Sequence, residues 1–296
     1  MSTQVATFAQ NSGPVVTERR QADTDDQLIE IWLHGRGDHT QRAYRADVNE
    51  FRAFVAMPLV RVILSDLQRF ADNLEARALS AGSRARKLST IKSLMTFGVR
   101  VGYLKLNPGA GLRLPARRND LAERIMTEEA ALKMIALEKL PRNRAILRLL
   151  YGSGVRVSEL VGLRWRDLLA REVGGQVTVL GKGEKTRAIL ISPKTYSALA
   201  ALPQGEPNDP IFRSRKKGGA LDASQVLRIV QAAATRAGIA GHVSPHWLRH
   251  AHASHALDRG APIHLVQATL GHASVATTGR YTHARPTESS SRYLSV

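Results

Sequence analysis

A mainly α-helical protein of two domains is what three observations in this 296-residue chain predict. Apolar residues recur at helical spacing along most of its length. An interruption rich in Pro, Gly and Arg falls near residues 107–124. Strand-like patterning is confined to one pair of runs around a Gly-Lys-Gly-Glu-Lys turn. The length has room for two cores of ordinary size.

Residues 1–22 are polar and aperiodic, with Asn11-Ser12-Gly13-Pro14 in the middle, and are expected to form a flexible tail. A helical domain is expected over 23–113. Leu28, Ile29, Ile31, Trp32 and Leu33 form its first apolar segment. Thr40 is placed to cap a helix carrying Tyr44, Val48, Phe51, Phe54 and Val55 on one face. Ser65-Asp66 opens a third helix, with Leu67, Phe70 and Leu74 at i, i+3 and i+7. A fourth, from about 82 to 101, is expected to bury Leu88, Ile91, Leu94, Met95 and Phe97.

A linker over 114–124 leads to a second domain over 125–296. Thr127-Glu128-Glu129-Ala130 starts a helix with acids in its first turn. Pro141 begins another, which stops at Gly152-Ser153-Gly154. Val177–Leu180 and Thr186–Ile191 read as a hairpin. Helices are then expected over about 193–202, 222–237, 245–259, 262–270 and 275–284, so the domain is mostly helical with a small antiparallel sheet.

Charge narrows the partner class. Lys and Arg number 43 against 25 Asp and Glu, a formal net charge of +18. Such an excess points to a polyanion, most commonly nucleic acid. Between Arg77 and Arg118 stand ten basic residues and no acid, Arg84, Arg86, Lys87, Lys92, Arg117 and Arg118 among them. A solvated helix normally mixes signs, so this run is expected to face DNA phosphates; a basic surface with no ligand is the plainer reading. The chain has no cysteine, which excludes disulfides and thiolate chemistry. It contains no apolar run of the ~18 residues that span a bilayer and no signal-peptide layout at its start. A cytoplasmic protein with no membrane contact is expected.

Four short motifs and a turn carry the chemistry. They are Gly154-Val155-Arg156-Val157-Ser158-Glu159-Leu160, Gly181-Lys182-Gly183, His246-Trp247-Leu248-Arg249-His250, Leu270-Gly271-His272 and Tyr281-Thr282-His283. In this order and at these spacings they resemble the tyrosine recombinases, or lambda-integrase family, over about residues 25–296, and the length is similar to that of the compact two-domain Xer-type members. The resemblance implies a SAM-like four-helix core-binding domain followed by the DNA breaking–rejoining fold.

The residue types suit metal-free breakage of a phosphodiester. Attack on phosphorus builds charge on the nonbridging oxygens and needs an in-line nucleophile and a protonated leaving group. Arg156 and Arg249 can each fork two N–H donors onto those oxygens. Tyr281 supplies the nucleophile, and a 3′-phosphotyrosyl bond would store the energy of the broken linkage. His246 lies one helical turn before Arg249, placed to share the phosphate and take the tyrosine proton. By resemblance, Lys182 protonates the departing 5′-oxygen and His272 donates a further hydrogen bond. Glu159 is expected to orient a neighbour. The family likeness further implies double-stranded DNA with an inverted-repeat core site as partner, a homo-tetramer on synapsed DNA, and no ATP, metal or other cofactor.

Other readings stand beside these. Arg156 alone reads as a surface ion pair, and Lys185 competes with Lys182. His246, His250, His252 and His255 share helix faces, but no HExxH carboxylate accompanies them, so no metal site is expected; His250 reads as structural. Tyr293 is the rival nucleophile, without a preceding Leu-Gly-His. Residues 287–296 read either as a segment docking on a neighbouring subunit or as a frayed end. Gly279, two residues before Tyr281, costs its helix about 1 kcal/mol against alanine, which suits a nucleophile helix switched by a neighbour. A monomeric type IB topoisomerase and a catalytically silent DNA-binding protein are the alternative functions.

Overall fold

The computed structural model describes residues 21–116, 125–181, 186–214, 218–272 and 274–284, apart from the side chains of 276, 280 and 282–284. Lys182, Lys185, Arg117, Arg118, Tyr293, residues 1–20 and 117–124 of the tail and linker, and the 287–296 segment lie outside these. The chain divides into two compact units, Met1–Arg118 and Asn119–Val296.

Four helices build the first unit: α1 (Asp25–Leu33), α2 (Asp38–Val55), α3 (Leu64–Ala76) and α4 (Ala81–Arg100). Thr24 caps α1 by accepting the Gln27 N–H at 3.2 Å. The α2 start differs from expectation. Gly37 is its N-cap and Thr40 lies inside the first turn, where Asp38 meets the helix dipole instead. Asp66 accepts the Ile63 N–H at 3.0 Å and closes the start of α3. Leu28, Val48, Phe51, Leu67, Phe70, Leu88, Ile91, Leu94 and Met95 bury together, each from the apolar stripe of its helix. Phe97 is only half-buried at the margin.

The basic run on α4 does not stand alone. Asp47, on α2 and 2% exposed, accepts from both terminal nitrogens of Arg86, from Lys87 at 3.2 Å and from Thr90 at 3.2 Å. Lys87 also reaches Glu50, Arg77 bonds Glu50 and Arg84 pairs with Glu75. Lys92 donates to the Leu112 carbonyl at 2.6 Å. The sequence run is of one sign because its counterions come from α2 and α3. Removing the Asp47 carboxylate takes the partner from half-exposed Arg86, leaves Lys87 with Glu50 alone and strips Thr90 of an acceptor. Asp47→Ala is expected to cost this unit about 1–3 kcal/mol, read as a lower first unfolding midpoint, whereas Arg77→Ala, at a more exposed pair, shifts it by under about 1 kcal/mol.

The second unit comprises α5 (Glu128–Ala136), α6 (Pro141–Ser153), α7 (Val157–Gly162), a three-stranded sheet, then α8 (Pro193–Ala200), α9 (Ala223–Arg236), α10 (Pro245–Asp258), α11 (Ile263–Leu270) and α12 (Val275–Ala284). The strands are β1 (Leu168–Ala170), β2 (Gly175–Leu180) and β3 (Thr186–Ile191), antiparallel in the order β1-β2-β3. Strand β1 was not expected, since three residues are too short to show a period. Val177 pairs with Ile189 and both are buried, while Leu190 points outward. That alternation puts Arg187 on the same face of β3 as Ile189 and Ile191.

Helices α6 and α10 form the centre, with α11 and α12 packed beside α10. Ala145, Ile146, Leu149 and Leu150 of α6 and Leu248 and Ala251 of α10 belong to the main core. A smaller cluster of Ile125, Ala253, Val266, Leu270 and Tyr281 joins α10, α11 and α12. No helix among the described residues is long and apolar enough to cross a membrane.

Candidate active site

Arg249 is the buried centre of the site, 2% exposed on α10. Its guanidinium donates to the Gly154 carbonyl and, at 2.6 Å, to the Leu270 carbonyl. Both acceptors sit where a helix stops. Gly154 ends α6 in the left-handed region at φ 61°, and a Cβ there would stand 2.6 Å from a Leu270 methyl and 2.8 Å from the His252 ring. Only glycine fits both the angle and the space. Burial first, then the Arg156 charge, pulls the Arg249 guanidinium down to about 10, so it stays cationic at neutral pH.

Arg156 follows directly, as N-cap of α7. Glu159 accepts its backbone N–H at 2.7 Å and its Nη1 at 2.9 Å, so one carboxylate closes the helix start and fixes the guanidinium. The same carboxylate takes two bonds from Arg187 of β3, each 2.8 Å. Burial pushes the Glu159 carboxyl up, but the hydrogen bonds from Arg187 and Arg156 outweigh it and hold it below the usual range. Arg187 also donates to the Thr269 carbonyl at 3.0 Å, and Arg156 to the Gly271 carbonyl at 3.1 Å. Gly271 repeats the logic of Gly154: φ is 62° and a Cβ would come within 2.9 Å of Arg187. Three arginines and one carboxylate leave the cluster cationic.

The Tyr281 hydroxyl lies 2.8 Å from His250 Nδ1, and the tyrosine is 6% exposed. Its ring lies parallel to that of His272, 7° apart with centroids 6.4 Å apart. His272 Nδ1 is 2.9 Å from the hydroxyl of the fully buried Thr278. A neutral ring accepting there carries its proton on Nε2, available to donate. The His246 ring is exposed at the start of α10 and meets His250 edge-on at 5.1 Å. Helix α12 runs unbroken through Gly279, around which a Cβ would meet nothing within 4 Å.

Two histidines beside Arg249 make stability depend on pH. Burial first, then the Arg249 and Arg156 charges, takes His272 down to about 4. Burial takes His252 to about 4 as well, although its bond to the Tyr151 carbonyl at 2.8 Å opposes the shift. Each folded value lies below the ordinary 6.5, so the unfolded chain binds more protons between about 4 and 6.5. Stability is therefore complete above that window and falls as pH drops through it, by on the order of 3 kcal/mol at most for the deeply buried His252. Urea unfolding at pH 7.5 and pH 5 is expected to show this loss, and His252→Asn, which keeps a donor for Tyr151, should reduce it.

Of the residues singled out from sequence, Arg156, Arg249, His272 and Tyr281 come together around the ends of α6, α11 and α12. His246 joins through His250, and Glu159 orients its neighbours as expected. Lys182 lies outside the described residues. Two members were missed. Arg187 was legible in principle, since alternation with Ile189 and Ile191 turns it inward, where an arginine needs a carboxylate. His250 read as structural because it borders the core residue Ala251; its i,i+4 spacing from His246 was the available signal. Among the described residues, no group of three or more His, Asp or Glu side chains is arranged to hold a metal ion.

Comparison with known proteins agrees with this geometry. Residues 122–288 match the model of the phage integrase family, and residues 29–102 match its N-terminal SAM-like domain. The chain is 38% identical over 263 residues to tyrosine recombinase XerC of Xylella fastidiosa strain M23, covering 84% of this chain and 87% of the relative. It is 33% identical over 291 residues to XerC of Xanthomonas campestris pv. campestris strain B100, covering 93% and 89%. In fold it is similar to a lambda integrase (75–356) dimer bound to a COC′ core site, with TM-score 0.73, 21% identity and coverage of 89% and 95%. It is also similar to XerH bound to a palindromic difH substrate after cleavage, with TM-score 0.71, 22% identity and coverage of 89% and 82%.

Proposed function

The chain belongs to the phage integrase family and is a tyrosine recombinase, and we propose that Tyr281 is the nucleophile with which it cuts and rejoins DNA at a specific site. The observation that carries this reading is the Tyr281 hydroxyl, held 2.8 Å from His250 on the same helix as Arg249, whose charge faces both Tyr281 and Arg156.

Arg249 anchors two of its N–H donors on the Gly154 and Leu270 carbonyls and turns the others to the scissile phosphate. Arg156, braced by Glu159, supplies the second fork. His272 donates from Nε2, and His246 at the rim completes the cradle. The phenolic oxygen of Tyr281 passes its proton to a histidine of α10 as it attacks phosphorus in line, a 3′-phosphotyrosyl bond forms, and the bond to the 5′-oxygen breaks. Lys182 protonates that oxygen. The reverse reaction, with a 5′-hydroxyl from another duplex, completes strand exchange and consumes no ATP.

Four such sites act on two duplexes, so the working assembly is a homo-tetramer on an inverted-repeat core site. Two of the relatives' structures hold integrase dimers or a tetramer on DNA, which supports that stoichiometry. Arg86, 45% exposed at its side chain, is the best placed α4 cation to leave Asp47 for a phosphate. Lys87 and Lys92 are committed to Glu50 and the Leu112 carbonyl. Affinity for DNA should fall steeply with salt.

A plasmid carrying two direct copies of the site tests this proposal. Two smaller circles are expected, with no relaxation of a plasmid that lacks the site. Relaxation of the site-free plasmid without recombinants would favour topoisomerase action, and binding without either would favour a silent DNA-binding protein.

A further inference from the structure

A histidine of α10 meets the reacting oxygen directly. His250 Nδ1 stands 2.8 Å from the Tyr281 hydroxyl, its ring tilted 48° at 5.6 Å. Other described groups of the site are arranged differently. Arg249 carries a fixed positive charge that favours the phenolate. His272 is stacked flat at 6.4 Å and engages Thr278 through Nδ1. His246 touches the edge of the His250 ring.

We infer that His250 is a catalytic residue that holds the Tyr281 hydroxyl and takes its proton as the tyrosine attacks, handing His246 the role of a second ring in contact with the acceptor. This rests on the reading of Tyr281 as nucleophile. With its own proton on Nε2, His250 accepts the phenolic O–H at Nδ1. During attack the O–H bond breaks, N–H forms at Nδ1, and the oxygen lone pair closes on phosphorus. His250 becomes imidazolium while Lys182 gives its proton to the 5′-oxygen, so charge balances across the step. In religation the imidazolium returns the proton to the leaving phenolate. His250 sits one helical turn from His246 and next to Arg249, so α10 carries the proton acceptor and phosphate clamp on a single rigid element.

The test uses the full chain and a suicide duplex, nicked within the core of the site recovered by selection from random DNA. Single-turnover formation of the covalent complex is measured for the parent, His250→Ala and His250→Asn, each with tyrosine or 3-fluorotyrosine at position 281. Equal thermal midpoints and equal DNA affinity establish that the variants fold. His250→Ala is expected to slow cleavage by about 100-fold or more. His250→Asn, which keeps an acceptor near the hydroxyl but cannot bind a proton, should recover only part of that loss. The more acidic fluorophenol should speed the alanine variant by about 10-fold and leave the parent nearly unchanged. Full recovery by asparagine with no response to fluorination would reduce His250 to positioning the hydroxyl without taking its proton and overturn the inference. An undiminished rate in His250→Ala would overturn it too. A covalent complex persisting in Tyr281→Phe would instead defeat the reading beneath it.

Discussion

Replacing Tyr281 with phenylalanine is expected to abolish the covalent protein–DNA complex while leaving DNA binding within about twofold of the parent. The substitution removes one oxygen from a ring that is 6% exposed and already packed beside Ala253, Val266 and Leu270. The fold keeps its ring and loses a hydrogen bond to His250, about 1 kcal/mol. Chemistry loses its nucleophile, so cleavage should drop below detection, at least ~10⁴-fold. Electrophoresis of a suicide substrate under denaturing conditions reads the first quantity, and a mobility shift reads the second.

Arg249→Ala should be nearly as damaging, for two reasons that can be measured apart. Truncation leaves the Gly154 and Leu270 carbonyls without their buried donor, a penalty of about 1–3 kcal/mol each. The second unit should therefore melt earlier. Loss of the guanidinium also removes charge stabilisation of the phosphate, worth about 10²–10³ in rate or more. Cleavage measured well below the lowered midpoint isolates that part. Arg249→Lys keeps the charge, yet a single ammonium cannot span both carbonyls and still fork onto phosphate. It should recover stability better than rate. Equal recovery of both would mean that Arg249 serves only as a brace.

Much of this architecture was legible because each helix declares itself locally. Thr24, Thr127 and Ser192 cap their helices, Pro141, Pro193 and Pro245 open them, and apolar stripes select the buried faces. Motif spacing singled out Arg156, Arg249, His272 and Tyr281 for a similar reason: Arg156 and His272 flank helix ends beside Gly154 and Gly271, and Arg249 lies one turn inside a helix opened by Pro245. What escaped depends on distant partners. The carboxylates that meet Arg86 and Lys87 lie about 40 residues away in sequence, on α2, so a run that looked destined for phosphate also has structural partners. Arg187 acquires meaning only when β3 meets Glu159 of α7. His250 becomes significant only once α12 folds back onto α10 and brings the phenol to it. Gly37 took the cap that Thr40 was expected to provide, because Asp38 already serves the first turn.

Two of the left-handed glycines join these levels. Gly154 and Gly271 end α6 and α11 where their carbonyls meet Arg249 and Arg156, so the stops of two helices position the two guanidiniums. A Cβ at either place collides with the site itself. The same few residues thus terminate secondary structure, satisfy buried arginines and shape the phosphate cradle.

The most direct test of the central claim is the identity of the residue bonded to DNA. The covalent complex trapped on a suicide duplex can be digested with protease and nuclease, and its nucleotide-bearing peptide sequenced by mass spectrometry. A nucleotide on Tyr281, joined through its 3′-phosphate, is the predicted result. A modified Tyr293, or any residue other than Tyr281, would contradict the account.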